Sequence, residues 1–398
     1  MSSFRELGIK ADLNKGLKEL GIVTPSKIQE QVIPLLLASD TDLIGQAQTG
    51  TGKTAAYGLP LLQKIDSKNQ TIQGLVLCPT RELGQQVAKQ FFKFTKYTER
   101  IFTTAVYGGE KIELQIERLR RPNHLVVATP GRLLDLIRRK DIDIRGVHTV
   151  ILDEADEMLS MGFKKDLDAI LKVLSSVRNK WLFSATLPVE IKRMVSDHLS
   201  PTAPKIEVNK KELINRDIDH KFVICDEQDK LNVLLQFLKS ETGHRGVIFC
   251  KTKAATQKLA AQLKAKNISA DAIHGDLKQK ERDKVMRAFK NESLRILIAT
   301  DLAARGIDIH GLGFVVHFQL PDQLEYYTHR SGRTGRAGKK GISIAFINPR
   351  ERRRIEEIEK KHKIKFRLEE ACRLLMRLLP YERERGRHTA SSKRRSQV

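Results

Sequence analysis

Cysteine is scarce. Four residues, Cys78, Cys225, Cys250 and Cys372, are scattered over 398 positions and no two form a CxxC pair. With no clustered histidines beside them, neither a zinc site nor a disulfide framework is expected. Cys78 and Cys250 sit in apolar runs, which predicts buried, reduced thiols. Long hydrophobic runs are also missing. Spanning a bilayer takes about 20 consecutive apolar residues. The longest run near the start, Val32 to Ala38, is interrupted by Pro34 and lacks a secretory layout. A cytoplasmic protein with no membrane partner is therefore expected. Negative charge is in deficit, because 48 acidic against 72 basic side chains leave a net +24. A surplus of that size points to a polyanion, since each Lys or Arg that neutralises a phosphate releases a condensed counterion.

What is present is a globular composition, 40% hydrophobic and 30% charged, and a chain long enough for two domains of roughly 100–200 residues. Short β-rich apolar runs alternate with longer amphipathic stretches, the pattern of a parallel sheet with crossover helices. In the first half the runs are Asp42–Ala47, Gly74–Thr80, Thr103–Gly109, His124–Thr129, Thr149–Glu154 and Lys180–Thr186. In the second they are His220–Cys225, Gly246–Thr252, Ser269–His274, Arg295–Thr300, Phe314–Leu320 and Gly341–Ile347. The halves echo each other: GLVLCPT at Gly74 resembles GVIFCKT at Gly246, and HLVVATPGR at His124 resembles RILIATDLA at Arg295. Two copies of one α/β architecture follow. Pro201 and Pro204, then the polar stretch Asn209–Asp219, predict a hinge. The expected divisions are 1–205, a linker 206–219, and 220–366. Beyond, Ala371, Leu374, Leu375, Leu378 and Leu379 share one helical face up to Pro380, and a basic tail expected to be disordered follows, so 367–398 stands apart.

Residues Ala47–Thr54 read AQTGTGKT between a strand and a helix. Gly50 and Gly52 let backbone N–H groups turn toward phosphate oxygens. Lys53 can reach the β- and γ-phosphates, and the Thr54 hydroxyl suits Mg²⁺. Ala47 replaces the first glycine of the general pattern. After the apolar strand end Val150–Leu152 come Asp153, Glu154, Ala155 and Asp156. Asp153 suits Mg²⁺ ligation, and Glu154 suits orienting and deprotonating an attacking water. Together these predict nucleoside triphosphate hydrolysis.

Further short motifs follow in order: GIVTPSKIQ at Gly21–Gln29, PTRELGQQ at Pro79–Gln86, Gly108–Gly109, TPGR at Thr129–Arg132, SAT at Ser184–Thr186, ATDLAARGID at Ala299–Asp308 and HRSGRTGRAG at His329–Gly338. With AQTGTGKT and DEAD, this series resembles the DEAD-box RNA helicases from Phe4 to Phe366. The resemblance implies two tandem RecA-like domains, each a mostly parallel sheet flanked by helices, closing over ATP and one RNA strand. It implies that Ala47, Gln48, Thr49, Gly50, Thr51, Gly52, Lys53 and Thr54 hold the triphosphate and that Thr54 and Asp153 hold Mg²⁺. Gln29 would bond the adenine edge and Phe4 would stack on its ring, favouring ATP. Arg333 and Arg336, one helical turn apart, would act as arginine fingers, with Lys53 and Glu154 completing the catalytic set. Asp308 would bridge a finger and the ribose. Asp156, Ser184, Thr186 and His329 would couple the motifs.

The same resemblance places Pro79, Thr80, Arg81, Gly108, Gly109, Thr129, Arg132, Arg282 and Thr300 on the RNA backbone, where contacts carry little sequence information. The 2′-hydroxyl would separate RNA from DNA. Gly84 stands where the family usually has alanine, and Ser331 where isoleucine is commoner. The expected activity is ATP-driven local unwinding of short RNA duplexes or ribonucleoprotein remodelling by a monomeric core. An ATP-gated RNA clamp uses the same motifs, and a DNA helicase is disfavoured by the adenine-reading segment with DEAD and SAT. Arg383, Arg385, Arg387, Lys393, Arg394 and Arg395 of the tail would add nonspecific phosphate affinity.

Overall fold

The computed structural model describes residues 2–48, 50–174, 177–208, 217–304, 312–335 and 340–370. Seven strands build the first sheet: β1 (Leu43–Gln46), β2 (Gly74–Leu77), β3 (Thr103–Val106), β4 (Leu125–Ala128), β5 (Thr149–Asp153), β6 (Asn179–Ser184) and β7 (Lys205–Glu207). Seven more build the second: β8 (Ile218–Ile224), β9 (Gly246–Phe249), β10 (Ala270–Ile273), β11 (Ile296–Ala299), β12 (Phe314–His317), β13 (Gly341–Ile347) and β14 (Arg367–Leu368). The orders are β3-β4-β2-β5-β6-β1-β7 and β10-β11-β9-β12-β13-β8-β14. Counting strands from the start of each half, these are one and the same order, so the internal echo in the sequence is a repeated topology.

Central strands are covered on both faces. In the first sheet Val76, Cys78, Val127, Ile151, Trp181 and Phe183 join one core, and Leu75, Leu77, Val126, Val150, Leu152 and Leu182 join another. Neighbouring residues pointing to opposite faces, both buried, are what parallel strands with helices on each side require. A third core contains Ile248, Ile298, Val316 and Phe346 of the second sheet. Cys78, Cys225 and Cys250 are buried free thiols, and burial pushes Cys225 to about 11 and Cys250 to about 12. Cys372 lies outside the described residues, as do the amphipathic segment 371–379 and the basic tail.

Two strands carry no sequence signal. β7 and β14 are short, exposed edge strands of polar composition, so no apolar run marks them. Several runs also overshoot their strands: β3 ends at Val106, and Tyr107–Gly109 beyond it form loop. By backbone contacts the chain forms two compact units. The first is Met1–Asn215 with Ile273–Lys290 and Thr300–His310; the second is Arg216–Ala272 with Asn291–Ala299 and Gly311–Val398. Segments 273–290 and 300–310, expected with the second domain, are thus grouped with the first unit.

Candidate nucleotide and nucleic-acid sites

In the first unit, β1 runs into the loop that ends at Gly52, the cap of the helix Lys53–Lys64. Gly50 and Gly52 have φ of 86° and 89°, the left-handed region where a side chain is strained. A Cβ at Gly52 would also collide with the Gln29 amide nitrogen. The Thr51 hydroxyl donates to the Gln48 carbonyl at 2.8 Å and tightens the turn. Thr49 lies outside the described residues.

Lys53 is 6% exposed, and its Nζ has no hydrogen-bond partner. Asp153, at the end of β5, is 2% exposed; its Oδ2 accepts from the Tyr57 hydroxyl at 2.8 Å, while Oδ1 has no partner. Burial raises the Asp153 carboxyl above the usual range, and the Lys53 ammonium opposes that rise. Buried polar atoms are almost always hydrogen-bonded in folded proteins, so a cation and a carboxylate oxygen left open together signal a ligand. A polyphosphate fits the ammonium. A hard divalent cation fits the carboxylate oxygen with the neighbouring Thr54 hydroxyl. Among the described residues no group of three or more His, Cys, Asp or Glu could hold a metal.

Glu154 follows with φ 52° and ψ 51°, a strained conformation for a residue with a side chain, and caps the helix Ala155–Ser160. Asp156 Oδ2 accepts from the Thr186 amide at 2.9 Å and its hydroxyl at 2.8 Å. The Ser184 hydroxyl donates to the Thr186 carbonyl at 2.6 Å. Three of the four expected coupling residues therefore meet at the ends of β5 and β6. His329 lies on the helix Glu325–Ser331 of the second unit, its ring edge-on to Tyr326.

The two expected adenine-reading residues lie in different settings. Gln29 is buried; its Oε1 accepts from the Ser26 amide at 2.9 Å and its Nε2 donates to the Gly52 carbonyl at 3.0 Å. The amide thus braces the phosphate loop, with one lone pair and one N–H left for a base. Phe4 is 1% exposed and belongs to the first hydrophobic core, so its ring is covered by protein here.

The expected backbone-binding residues that fall in the first unit include every one of that set. Gly109 has φ 83°, and a Cβ there would lie 3.7 Å from Gln279 and 3.9 Å from Arg81, leaving space above the loop. Gly108 is open. Arg81 pairs with Asp283 at 3.0 Å, and Arg282 pairs with Glu82 at 2.7 Å while donating to the Ala303 carbonyl. Arg132 donates to the Glu110 carbonyl at 3.1 Å. Arg81 Nε and Arg132 Nη1 are buried without a hydrogen-bond partner, two N–H groups that suit phosphate oxygens. Two hydroxyls also have structural duties: Thr80 accepts from the Leu83 amide and Thr300 from the Ala303 amide, each at the start of a helix, and each keeps its O–H to donate. Pro79 and Thr129 are buried beside them.

The helix Glu325–Ser331 ends with Gly332 as its cap, and Arg333 stands in the turn that follows. Arg336 and Asp308 lie outside the described residues. Tyr57 is the site residue that sequence reasoning missed. Its one available signal is spacing, since it stands four residues after Lys53 on the same helix face.

The family model described as DEAD/DEAH box helicase matches residues 26–194, and the helicase conserved C-terminal domain matches residues 229–338. The chain is 43% identical over 365 residues to the DEAD-box ATP-dependent RNA helicase CshA of Bacillus cereus, covering 92% of this chain and 69% of that protein. It is 41% identical to CshA of Geobacillus kaustophilus, covering 92% and 78%. Among solved structures, S. cerevisiae Dbp5 bound to RNA and ADP BeF3 is similar with TM-score 0.86 and 32% identity, covering 93% of this chain and 96% of that one. Mss116p bound to ssRNA and AMP-PNP gives 0.82 at 26% identity, covering 95% and 83%.

Proposed function

This chain belongs to the DEAD-box ATP-dependent RNA helicases, and on that premise we propose which of its residues do the work and how. ATP binds along the loop Ala47–Thr54, with Lys53 on the β- and γ-phosphates. Thr54 and Asp153 would hold Mg²⁺, which would supply charge neutralisation to the triphosphate. Glu154 accepts a proton from water as its oxygen bonds to the γ-phosphorus and the bond to the β-phosphate oxygen breaks. Arg333 and Arg336 stabilise the charge on the transferred phosphoryl group.

RNA is held through its sugar–phosphate backbone by Arg81, Gly108, Gly109, Thr129, Arg132, Arg282 and Thr300. The ion pairs of Arg81 with Asp283 and of Arg282 with Glu82 keep those guanidinium groups in place and give way partly to phosphate. ATP binding and RNA binding favour the same state, so each strengthens the other. Hydrolysis then releases the strand, and a short duplex is parted locally. A cytoplasmic, monomeric core completes the reading.

The observation that carries the proposal is the pair of open, buried polar atoms, Lys53 Nζ and Asp153 Oδ1, at the end of a glycine-turned loop. Lys53→Ala should lose RNA-stimulated ATP hydrolysis and duplex displacement together. Turnover near wild type would show that the phosphate loop has been assigned wrongly.

A further inference from the structure

Ser331 is a polar residue with 2% exposure at the last position of the helix Glu325–Ser331. Such a hydroxyl is tolerated only when bonded. Its Oγ lies 3.2 Å from His317 Nε2 and 2.8 Å from Ser343 Oγ. Ser343 Oγ is in turn 3.2 Å from the Tyr327 hydroxyl, which reaches His220 Nδ1 at 2.7 Å. The Tyr327 ring stacks on His317, with centroids 4.5 Å apart and planes at 17°. His317, Tyr327 and Ser343 are fully buried, and all five residues belong to the second unit.

The proton directions follow from Arg330. Its Nη1 lies 3.5 Å from His317 Nδ1, and a guanidinium can only donate, so Nδ1 accepts and Nε2 carries the proton. His317 Nε2 thus donates into the serine pair it faces, Ser331 Oγ at 3.2 Å and Ser343 Oγ at 3.1 Å, and the Tyr327 hydroxyl and His220 continue the network beyond Ser343. Burial holds both histidines neutral: His317 falls well below its ordinary range and His220 to about 4. The chain of bonds is therefore intact at neutral pH.

Ser331 is two residues before Arg333. One residue after it, Thr334 is fully buried, donates to the Leu312 carbonyl and forms a parallel bridge with Leu312. Arg333 itself is half-buried between these two anchors. We propose that the buried chain His317–Ser331–Ser343–Tyr327–His220 makes Ser331 a positioning residue for Arg333, fixing the turn that carries it. The inference rests on the reading of Arg333 as the group that acts on the γ-phosphate. A turn anchored on one side only would spread the guanidinium over several positions, and small misplacements are costly to a transition state.

The test is a double-mutant cycle in the full chain with Ser331→Ala and Arg333→Ala. Ser331→Ala should lower kcat of RNA-stimulated ATP hydrolysis roughly three- to tenfold, the rate equivalent of one buried hydrogen bond. KM for ATP and the affinity for single-stranded RNA should stay within about twofold, because only placement in the transition state is lost. In the Arg333→Ala background the same change should cost nothing further, since no arginine remains to be placed. Tyr327→Phe keeps the stacked ring and cuts the chain at its far end, so it should show a smaller drop in the same direction; it decides the matter if Ser331→Ala fails to fold. Full kcat in these variants, or an equal loss on top of Arg333→Ala, overturns the positioning role alone. Full kcat in Arg333→Ala overturns the arginine reading and this inference with it.

Discussion

Lys53 and Lys230 occupy the same place in two copies of one topology. Each is the first residue of the helix that follows its half's first strand, β1 or β8. Both are buried. Lys53 comes after the glycine-turned loop and has no partner for its Nζ. Lys230 comes after Cys225–Asp229, which contains no glycine, and pairs with Glu227 at 2.8 Å. The fifth strands repeat the contrast: β5 ends in Asp153 with one oxygen open, and β12 ends in His317 with both ring nitrogens engaged. The shared fold fixes where a polar group stands. Whether the protein itself satisfies that group decides whether the place receives a ligand or serves as a brace.

The largest effect that can sharpen this contrast is at Glu154. Glu154→Gln keeps the size of the side chain and one acceptor oxygen but cannot take a proton from water. Hydrolysis should fall by about 10²–10⁴-fold, the usual worth of a general base. ATP-dependent RNA binding should persist, so a filter or anisotropy assay should find RNA held with ATP much as wild type holds it with a nonhydrolysable analogue. Loss of RNA binding together with hydrolysis would mean that Glu154 is a folding residue.

A smaller effect is expected at Tyr57, whose hydroxyl orients the Asp153 oxygen that would not face the metal. Tyr57→Phe retains the ring packed against Phe91 and Phe183 and removes only that bond. Partners of metal ligands commonly contribute 10- to 100-fold in metal affinity, and with Thr54 unchanged the lower end, about tenfold, is expected. The measurement is the Mg²⁺ concentration needed for a fluorescent ADP analogue to bind, which involves no turnover. An unchanged requirement would leave Tyr57 as packing alone.

How far the sequence disclosed these features follows from the range of the interactions. The strands at the centre of each sheet were legible because burial on both faces leaves an unbroken apolar run. The phosphate loop was legible because its chemistry needs glycines and a lysine at fixed spacing. β7 and β14 were not, since an exposed edge strand has no face to bury. Spacing alone does not reveal that Gly332 caps the helix and leaves Arg333 in a turn. Phe4 reads as a base-stacking ring by resemblance, yet the core absorbs it. The buried network of His317, Ser331, Ser343, Tyr327 and His220 was invisible, because its members are spread from His220 to Ser343 and no local spacing brings all five together.

The smallest effects come from replacing the two lysines themselves with methionine, which is apolar and of similar length. In the nucleotide-free protein Lys53 Nζ has no hydrogen-bond partner, but its charge offsets the buried Asp153 carboxyl. In an Asp153→Asn background Lys53→Met should therefore stabilise the chain by about 1–3 kcal/mol even as ATP use is lost. Lys230 has its carboxylate, and replacing a paired buried charge by an apolar group of similar volume is often close to neutral. Lys230→Met should therefore shift the nucleotide-free unfolding free energy by less than about 1 kcal/mol, because Glu227 is largely exposed and remains hydrated. It should also leave RNA-stimulated hydrolysis unchanged. Chemical denaturation of the two variants, each against its own parent and without nucleotide, measures the difference directly. If Lys230→Met stabilised the chain as much as Lys53→Met stabilises the Asp153→Asn protein, the pairing would not distinguish the two places, and the open valence of Lys53 would lose its meaning as the mark of a ligand site.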